Sequence, residues 1–462
     1  MKLKKETITH ILIVLGISAA FLPIFFNNQW VTAQDRDITS NYNDQFNQDY
    51  FKISVISEKI HIDNNWSAAK VAGICVGSGT YSDPYIIRDL IINGDGSVSC
   101  ILIENSEVFF EIENCSVFNS YCGIRLVYTK NARILNNNCS SNKFYGISLS
   151  HSTNNTVSGN IVNNNEYWGI HLFYSDRNNI LENTEKNNCD YGILLSDSDD
   201  NLILKNIVNS GINLDGLYNN ISENLMNKCG LRIYSDTVNF YSQYIDTTNL
   251  VNGKPLYYYT NEINLGPTNF TNAGQVILAS CSNSLISNLN LSYTDTGISL
   301  INCHDNFIIG NTMNNNQRDG IYIFGGDNNN ISENSVSYNN YNGFFLELNS
   351  YNIFLENNVS YNNNGFFCYS LENSIISGNE INHNKKYGIY FMNCRSNNIT
   401  GNSLIGNEKC FYEVYSENNI FENNECHDRI TSIPSYNLFL LLGILFTLVI
   451  ILSKKVKKSS NS

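Results

Sequence analysis

Residues 144–165 read FYGISLSHSTNNTVSGNIVNNN, and the phrase returns as YWGIHLFYSDRNNILENTEKNN at 167–188 and DYGILLSDSDDNLILKNIVNS at 190–210. Glycine falls at 123, 146, 169 and 192; after an irregular middle it returns at 297, 320, 343, 365 and 388, so the repeat is 22–23 residues. A period in this range is the signature of a solenoid. One and three residues after each glycine the chain is apolar, as in Ile124 and Leu126, Ile147 and Leu149, Ile170 and Leu172, and Ile321 and Ile323. Such alternation predicts a strand with one buried face. A second apolar column runs through Ile134, Val157, Ile180, Ile203, Ile308, Ile331, Ile376 and Ile399, and a third through Val162, Val208, Met313, Val336, Val359, Ile381 and Leu404. Three short strands and three turns make one triangular coil.

Asparagine marks the turns. One column holds Asn114, Asn137, Asn160, Asn183, Asn206, Asn311, Asn334, Asn357, Asn379 and Asn402; a second, five residues on, includes Asn119, Asn142, Asn165, Asn188, Asn316, Asn339, Asn362, Asn384 and Asn407. Asparagine tolerates left-handed backbone, and its amide both donates and accepts. Stacked coil on coil, these amides would form a structural ladder rather than an active site.

The 462 residues suffice for two or three ordinary domains or one long repetitive body. Only 15% are charged, the net charge is -14, and no basic run occurs away from the termini, which argues against a nucleic-acid partner. Lys2, Lys4 and Lys5 precede the apolar stretch 11–26 and the small-residue site Val31-Thr32-Ala33, so 1–33 reads as a signal peptide or N-terminal anchor. Leu438 to Leu452 is free of charge and is followed by Lys454, Lys455, Lys457 and Lys458. That pattern predicts a transmembrane helix over 433–453 with a cytoplasmic basic tail, 454–462. The rest is then extracytoplasmic, in keeping with ten glycosylation sequons, at Asn65, Asn114, Asn138, Asn154, Asn220, Asn269, Asn290, Asn330, Asn358 and Asn398. The thirteen cysteines show no CxxC spacing. Cys281 and Cys303, one repeat apart, are a candidate disulfide.

GSGTYSDPYIIRDLIING (77–94), the repeated GIxL...NxIxxNxxxxN units and LVNGKPLYYYTNE (250–262) resemble the NosD-like proteins, or carbohydrate-binding and sugar-hydrolase (CASH) domains, in particular membrane-anchored archaeal surface proteins. The resemblance spans roughly residues 60–430. It implies an all-β right-handed parallel β-helix, a fold shared with pectin lyases. About 14 coils at ~4.8 Å per strand would stack into a rod on the order of 65 Å long. The expected divisions are an N-terminal cap over 34–76, coils over 77–236, an irregular coil or loop insertion over 237–274, and coils over 275–430.

Enzymes of this fold use clustered acids on one strand face. The polygalacturonase pattern of Asn-Thr-Asp, an Asp pair, Gly-His-Gly and Arg-Ile-Lys is absent. Asp176 and Asp199, one repeat apart, and nearby Asp197 are candidate catalytic residues or Ca2+ ligands, although the turn duty that Asn performs in other units is the favoured reading. Glu185 occupies a column that elsewhere holds Val162, Val208 and Met313, so the register buries a carboxylate; it is a candidate catalytic residue, or an acid that swings out or pairs with Lys186 or Lys205. Tyr322, Phe345, Phe367 and Tyr390 project outward at coil spacing as a candidate sugar-stacking stripe, or as simple ladder stabilisation. Tyr257, Tyr258 and Tyr259 mark a candidate protruding loop; Tyr145, Trp168 and Tyr191 read as a structural stack. No metal site is expected, because four methionines and seven histidines form no repeated cluster, despite the copper label attached to some NosD relatives. The favoured reading is a membrane-anchored, non-catalytic scaffold for a polysaccharide or glycan, or for neighbouring surface proteins. The alternatives are a polysaccharide lyase or glycoside hydrolase, and a NosD-type metal or transporter accessory protein.

Overall fold

The computed structural model describes residues 55–234 and 237–429. The expected N-terminal segment 1–33 and membrane helix 433–453 lie outside the described residues, among which no helix is long and apolar enough to cross a membrane. The described chain is a right-handed parallel β-solenoid of about 15 turns with few helices. Its first sheet stacks Ile60–Asp63, Ser99–Glu104, Cys122–Val127, Tyr145–Ser150, Trp168–Phe173, Ile193–Ser196, Ile212–Leu214 and Leu231–Ile233. The glycine phrase sets the register: Ile124, Ile147, Ile170, Ile193, Ile212 and Leu231 are paired in turn and all face the core. Glycine itself is demanded by close approach. A Cβ on Gly169 would lie 2.6 Å from the Gly192 carbonyl oxygen and 2.8 Å from Asn188 Nδ2.

The turns are tied by amides. Asn160 Oδ1 accepts both the backbone N–H of Asn137 at 2.9 Å and its Nδ2 at 3.0 Å, while Asn160 Nδ2 donates back to the Ile134 carbonyl at 2.9 Å. The pattern repeats through Asn183, Asn206, Asn224 and Asn249, and again from Asn311 through Asn334, Asn357, Asn379, Asn402 and Asn424. The ladder therefore continues where its sequence period lapses, because the coils shorten to a step of 18 residues and then lengthen to 25. A third ladder, five residues ahead of the first, runs through Asn155, Asn178, Asn201 and Asn219, and through Asn306, Asn329 and Asn352.

Two details differ from the sequence reading. The left-handed residue is the one before the ladder asparagine: Asn136 (φ 55°), Gly159 (φ 67°), Glu182 (φ 54°) and Lys205 (φ 57°). Likewise Asn114 and Asn119 take the left-handed positions, and Cys115 and Ser120 stand in the ladder, donating their N–H groups to Asn137 and Asn142.

One continuous rod is not what forms. At the end of the first solenoid Leu250–Val251 turns through Asn252 (φ 53°) and Gly253 (φ 75°) into an antiparallel pairing with Lys254–Thr260. Asn-Gly is the pair that such a two-residue hairpin favours. Lys254–Thr260 then founds a second parallel stack, beginning with Gln275–Ala279, with its own core. Tyr257, Tyr258 and Tyr259 thus belong to a strand and not a protruding loop. Tyr257 and Tyr259 meet Phe270 edge-on and close the second core, whereas Tyr258 packs against the first.

The outward side of this second stack closes the first. Ile277, Ala279 and Ile301, all at most 2% exposed, belong to the first core, and Tyr258, Tyr322 and Phe324 pack against it. Gln275 behaves as a missing strand: its Oε1 accepts the Leu231 N–H at 2.9 Å and its Nε2 donates to the Leu231 carbonyl at 2.7 Å. Gly230 permits the approach, since a Cβ there would meet Thr294 Oγ1 at 2.1 Å. The opposite end is covered by the helix Trp66–Val71, whose Trp66 ring lies 4.9 Å from Tyr85 and 4.8 Å from Phe110.

The disulfide expectation is corrected. Cys281 and Cys303 are stacked free thiols, the Cys281 N–H donating to Cys303 Sγ at 3.3 Å, and each sulfur is engaged with backbone carbonyls inside the core. Cys410 and Cys426, within the last coil, form the disulfide, and the other eleven cysteines are free.

The ladder sets a measurable asymmetry between asparagines. Asn334→Ala would remove the acceptor of the Asn311 N–H and of one Asn311 amide hydrogen, and the side-chain donor to the Ile308 carbonyl. Stability should fall by about 3 kcal/mol in urea titration. Exposed Asn340→Ala should change it by less than about 0.5 kcal/mol.

Candidate functional site

Along the outward side of the first sheet, the paired residues are His61, Leu102, Arg125, Ser148, His171, Leu194, Asn213 and Arg232. A solvent-facing column should be exposed, yet Ser148, His171, Leu194 and Asn213 are buried. For Ser148 and His171 the aromatic rims on either side explain this. Tyr145 and Trp168 stack at 5.2 Å, and behind them Tyr121, Phe144 and Tyr167 stack at 5.2 and 4.8 Å. Trp168 Nε1 donates to Asp190 Oδ2 at 3.0 Å, fixing the indole, and Phe173 stands on the opposite rim.

Between the rims lies an open cleft of about 630 Å3 with aromatic walls and a floor of Arg125, Ser148, Ser150, His171 and Ser196. Burial, reinforced by Arg125, pushes the His171 imidazole down to about 4. It is therefore a neutral group near pH 7, one nitrogen donating and the other accepting. Its ring lies 4.5 Å from the Trp168 ring, and Nε2 is 3.4 Å from Ser196 Oγ. No Asp or Glu is among the described residues lining this cleft. The site combines apolar walls with neutral hydroxyl and imidazole groups and one guanidinium.

The profile described as a right handed beta helix region matches residues 99–246 and 274–426. The chain belongs to that family. The unmatched interval between the two right-handed β-helix regions contains the antiparallel hairpin. No curated protein matches the chain. Among solved structures, the periplasmic alginate epimerase AlgG is 14% identical over 80% of this chain and 84% of that one, with a TM-score of 0.32. The Azotobacter vinelandii mannuronan C-5 epimerase AlgE4 A-module is 12% identical over 80% of this chain and 97% of that one, with a TM-score of 0.28. A tailspike mutant of E. coli bacteriophage HK620, in complex with a hexasaccharide, is 11% identical over 72% and 71%, with a TM-score of 0.29.

Within this right-handed β-helix the acids singled out from the sequence do structural work. Asp176 Oδ1 accepts the Asp199 N–H at 2.9 Å, Asp199 Oδ1 accepts the Leu217 N–H at 2.6 Å, and Asp197 is exposed. The three do not converge on a common point: among the described residues only Cys410, Cys426 and Asp428 cluster closely enough for a shared ion, and two of those sulfurs are already bonded. Glu185 is 1% exposed. Its carboxylate accepts from Asn188 Nδ2, the Asn209 and Ser210 N–H groups and Ser210 Oγ, each at 2.8 Å. It ends the second asparagine ladder of the first solenoid, with both carboxylate oxygens occupied by these donors.

Tyr322, Phe345, Phe367 and Tyr390 do form a column, but a half-buried one whose neighbouring rings are tilted by 34°, 75° and 82°. Such rings present no flat stripe. Tyr322 is also packed into the junction of the two stacks. By contrast, Tyr145 and Trp168, read from the sequence as structural, wall the cleft. Their signal was present in the tripeptides Phe-Tyr-Gly and Tyr-Trp-Gly, where two adjacent rings precede glycine.

His171 carries a stability cost in acid. The unfolded imidazole takes up a proton below 6.5, which the folded one refuses until about 4, so the penalty starts as pH falls through 6.5 and grows toward 4. His171→Gln should therefore flatten the decline in melting temperature between pH 6.5 and 4.5, with little change at pH 7.5.

Proposed function

We propose that this protein is a glycan-binding scaffold displayed on the outside of a cell, and that a polysaccharide lies in the cleft of the first solenoid. The observation that carries the reading is the pairing of aromatic walls, Tyr145 and Trp168 on one side and Phe173 on the other, with a polar floor of serine hydroxyls, a neutral imidazole and the Arg125 guanidinium. Sugar rings carry apolar C–H faces and a girdle of hydroxyls, so both halves of the site find complements. The lack of a carboxylate among the lining residues favours holding a chain over cutting it, since glycosidic cleavage uses a pair of them. In this proposal the NosD-like, membrane-anchored surface type describes the chain, with 433–453 in the bilayer and the solenoids extracytoplasmic.

The test is a glycan array and a depolymerisation assay on the full-length protein. Binding without new reducing ends or unsaturated sugars is expected. Trp168→Leu and Tyr145→Leu should each weaken it about tenfold, ~1.4 kcal/mol, while Tyr361→Leu, on an exposed ring of the second solenoid, should not. Release of product, or equal binding by all three variants, would sink the proposal.

A further inference from the structure

Where the second stack closes the first, a separate cleft of about 390 Å3 remains, lined by charged groups that the glycan reading does not use. Arg232 enters it from the last strand of the first sheet, and Arg318 and Asp319 from the coil before Gly320. Each cation is braced by aromatic groups. Arg232 Nη1 donates to the Tyr191 hydroxyl at 3.1 Å and its guanidinium lies 5.0 Å from the Tyr234 ring; that of Arg318 lies 4.7 Å from the Tyr341 ring. Neither is among the ion pairs of the described residues.

The acids beside them are otherwise occupied or buried. Asp319 Oδ1 accepts the Asn342 N–H and Nδ2 at 2.9 and 2.8 Å. Asp295 is 2% exposed and accepts one hydroxyl, from Thr296 at 3.3 Å. A guanidinium offers a planar fork of donors that matches a carboxylate, and desolvation in a cleft strengthens the pairing. Two such forks, fixed by rings and within electrostatic reach of Asp295 and Asp319 but in direct ion pairs with neither, make a site for an added anion.

We propose that this corner is a second binding site, which takes a carboxylate-bearing ligand between Arg232 and Arg318. Burial pushes Asp295 up to about 6, against the pull of Arg232 and Arg318, and burial also raises Asp319 and Glu347. Tyr234 and Tyr322 complete the titratable groups lining the cleft, with Tyr191 held against Arg232 behind it; burial pushes the Tyr191 and Tyr322 hydroxyls up. An entering carboxylate is repelled by ionised Asp295 and tolerated once that group is protonated. Binding should therefore tighten by about tenfold between pH 7.5 and 5.5, a range in which an ordinary carboxylate ligand stays ionised.

Calorimetry on the full-length protein with glucuronate, succinate and glucose tests this. Glucuronate is expected to bind and glucose not; succinate binding as well would mark a site open to free organic acids, whereas glucuronate alone would mark one for a sugar acid. Arg318→Gln should weaken binding at least tenfold. Asp295→Asn should raise affinity at pH 7.5 and abolish the pH dependence, a gain that misfolding cannot imitate. Trp168→Leu should leave all of this unchanged, which separates this site from the glycan cleft. Failure of both acids to bind, glucose binding as well as glucuronate, or an unaltered Arg318→Gln would overturn the proposal.

Discussion

Every coil of this protein buries turn backbone that water would otherwise solvate, and the stacked asparagine amide is what makes that tolerable. A buried N–H or carbonyl without a partner costs about 1–3 kcal/mol. The ladder asparagine answers three such groups at once, accepting a backbone N–H and an amide from one neighbour and donating to a carbonyl. It also frees the preceding residue to adopt left-handed backbone, which by itself costs roughly 1–2 kcal/mol. Glutamate, lysine and arginine can therefore stand at Glu182, Lys205 and Arg177 without glycine's help. Strand lengths, the triangular section and the aromatic rims all inherit their spacing from this link.

The same link explains why the two clefts lie where they do. Parallel register carries each outward side chain directly over its counterpart one coil away, so Arg125, Ser148 and His171 form a floor while Tyr145 and Trp168 form a wall. At Asn252 and Gly253 the register is reversed, and the outward column ends against another stack. Arg232 is thereby moved from an open surface into a charged corner.

Much of the coil was legible because its period is strict: Gly146, Gly169 and Gly192 locate the first sheet, and the apolar column through Val157 and Ile180 locates the second. The third asparagine ladder was not, because Asn155 and Asn178 are masked by adjacent asparagines at 154 and 179, and because coil length changes near Asn219. The clefts were harder still. Spacing reveals which rings stack but not whether the stack is half-buried, and both Tyr322 and Trp168 fit one pattern while only Trp168 borders the first cleft. The junction depends on contacts such as Gln275 with Leu231, 44 residues apart, which no period encodes.

The borrowed end cap imposes an order on the making of the molecule. The last strand of the first sheet is complete at Ile233, but the side chains that cover it, from Tyr258 to Phe324, emerge up to about 90 residues later. At roughly 5–20 residues per second, a growing chain carries an uncovered edge of parallel strands for several seconds. Such an edge is a template for any other strand. The interval between the two stacks is thus the period in which the nascent chain is most open to mispairing with its own copies on a polysome.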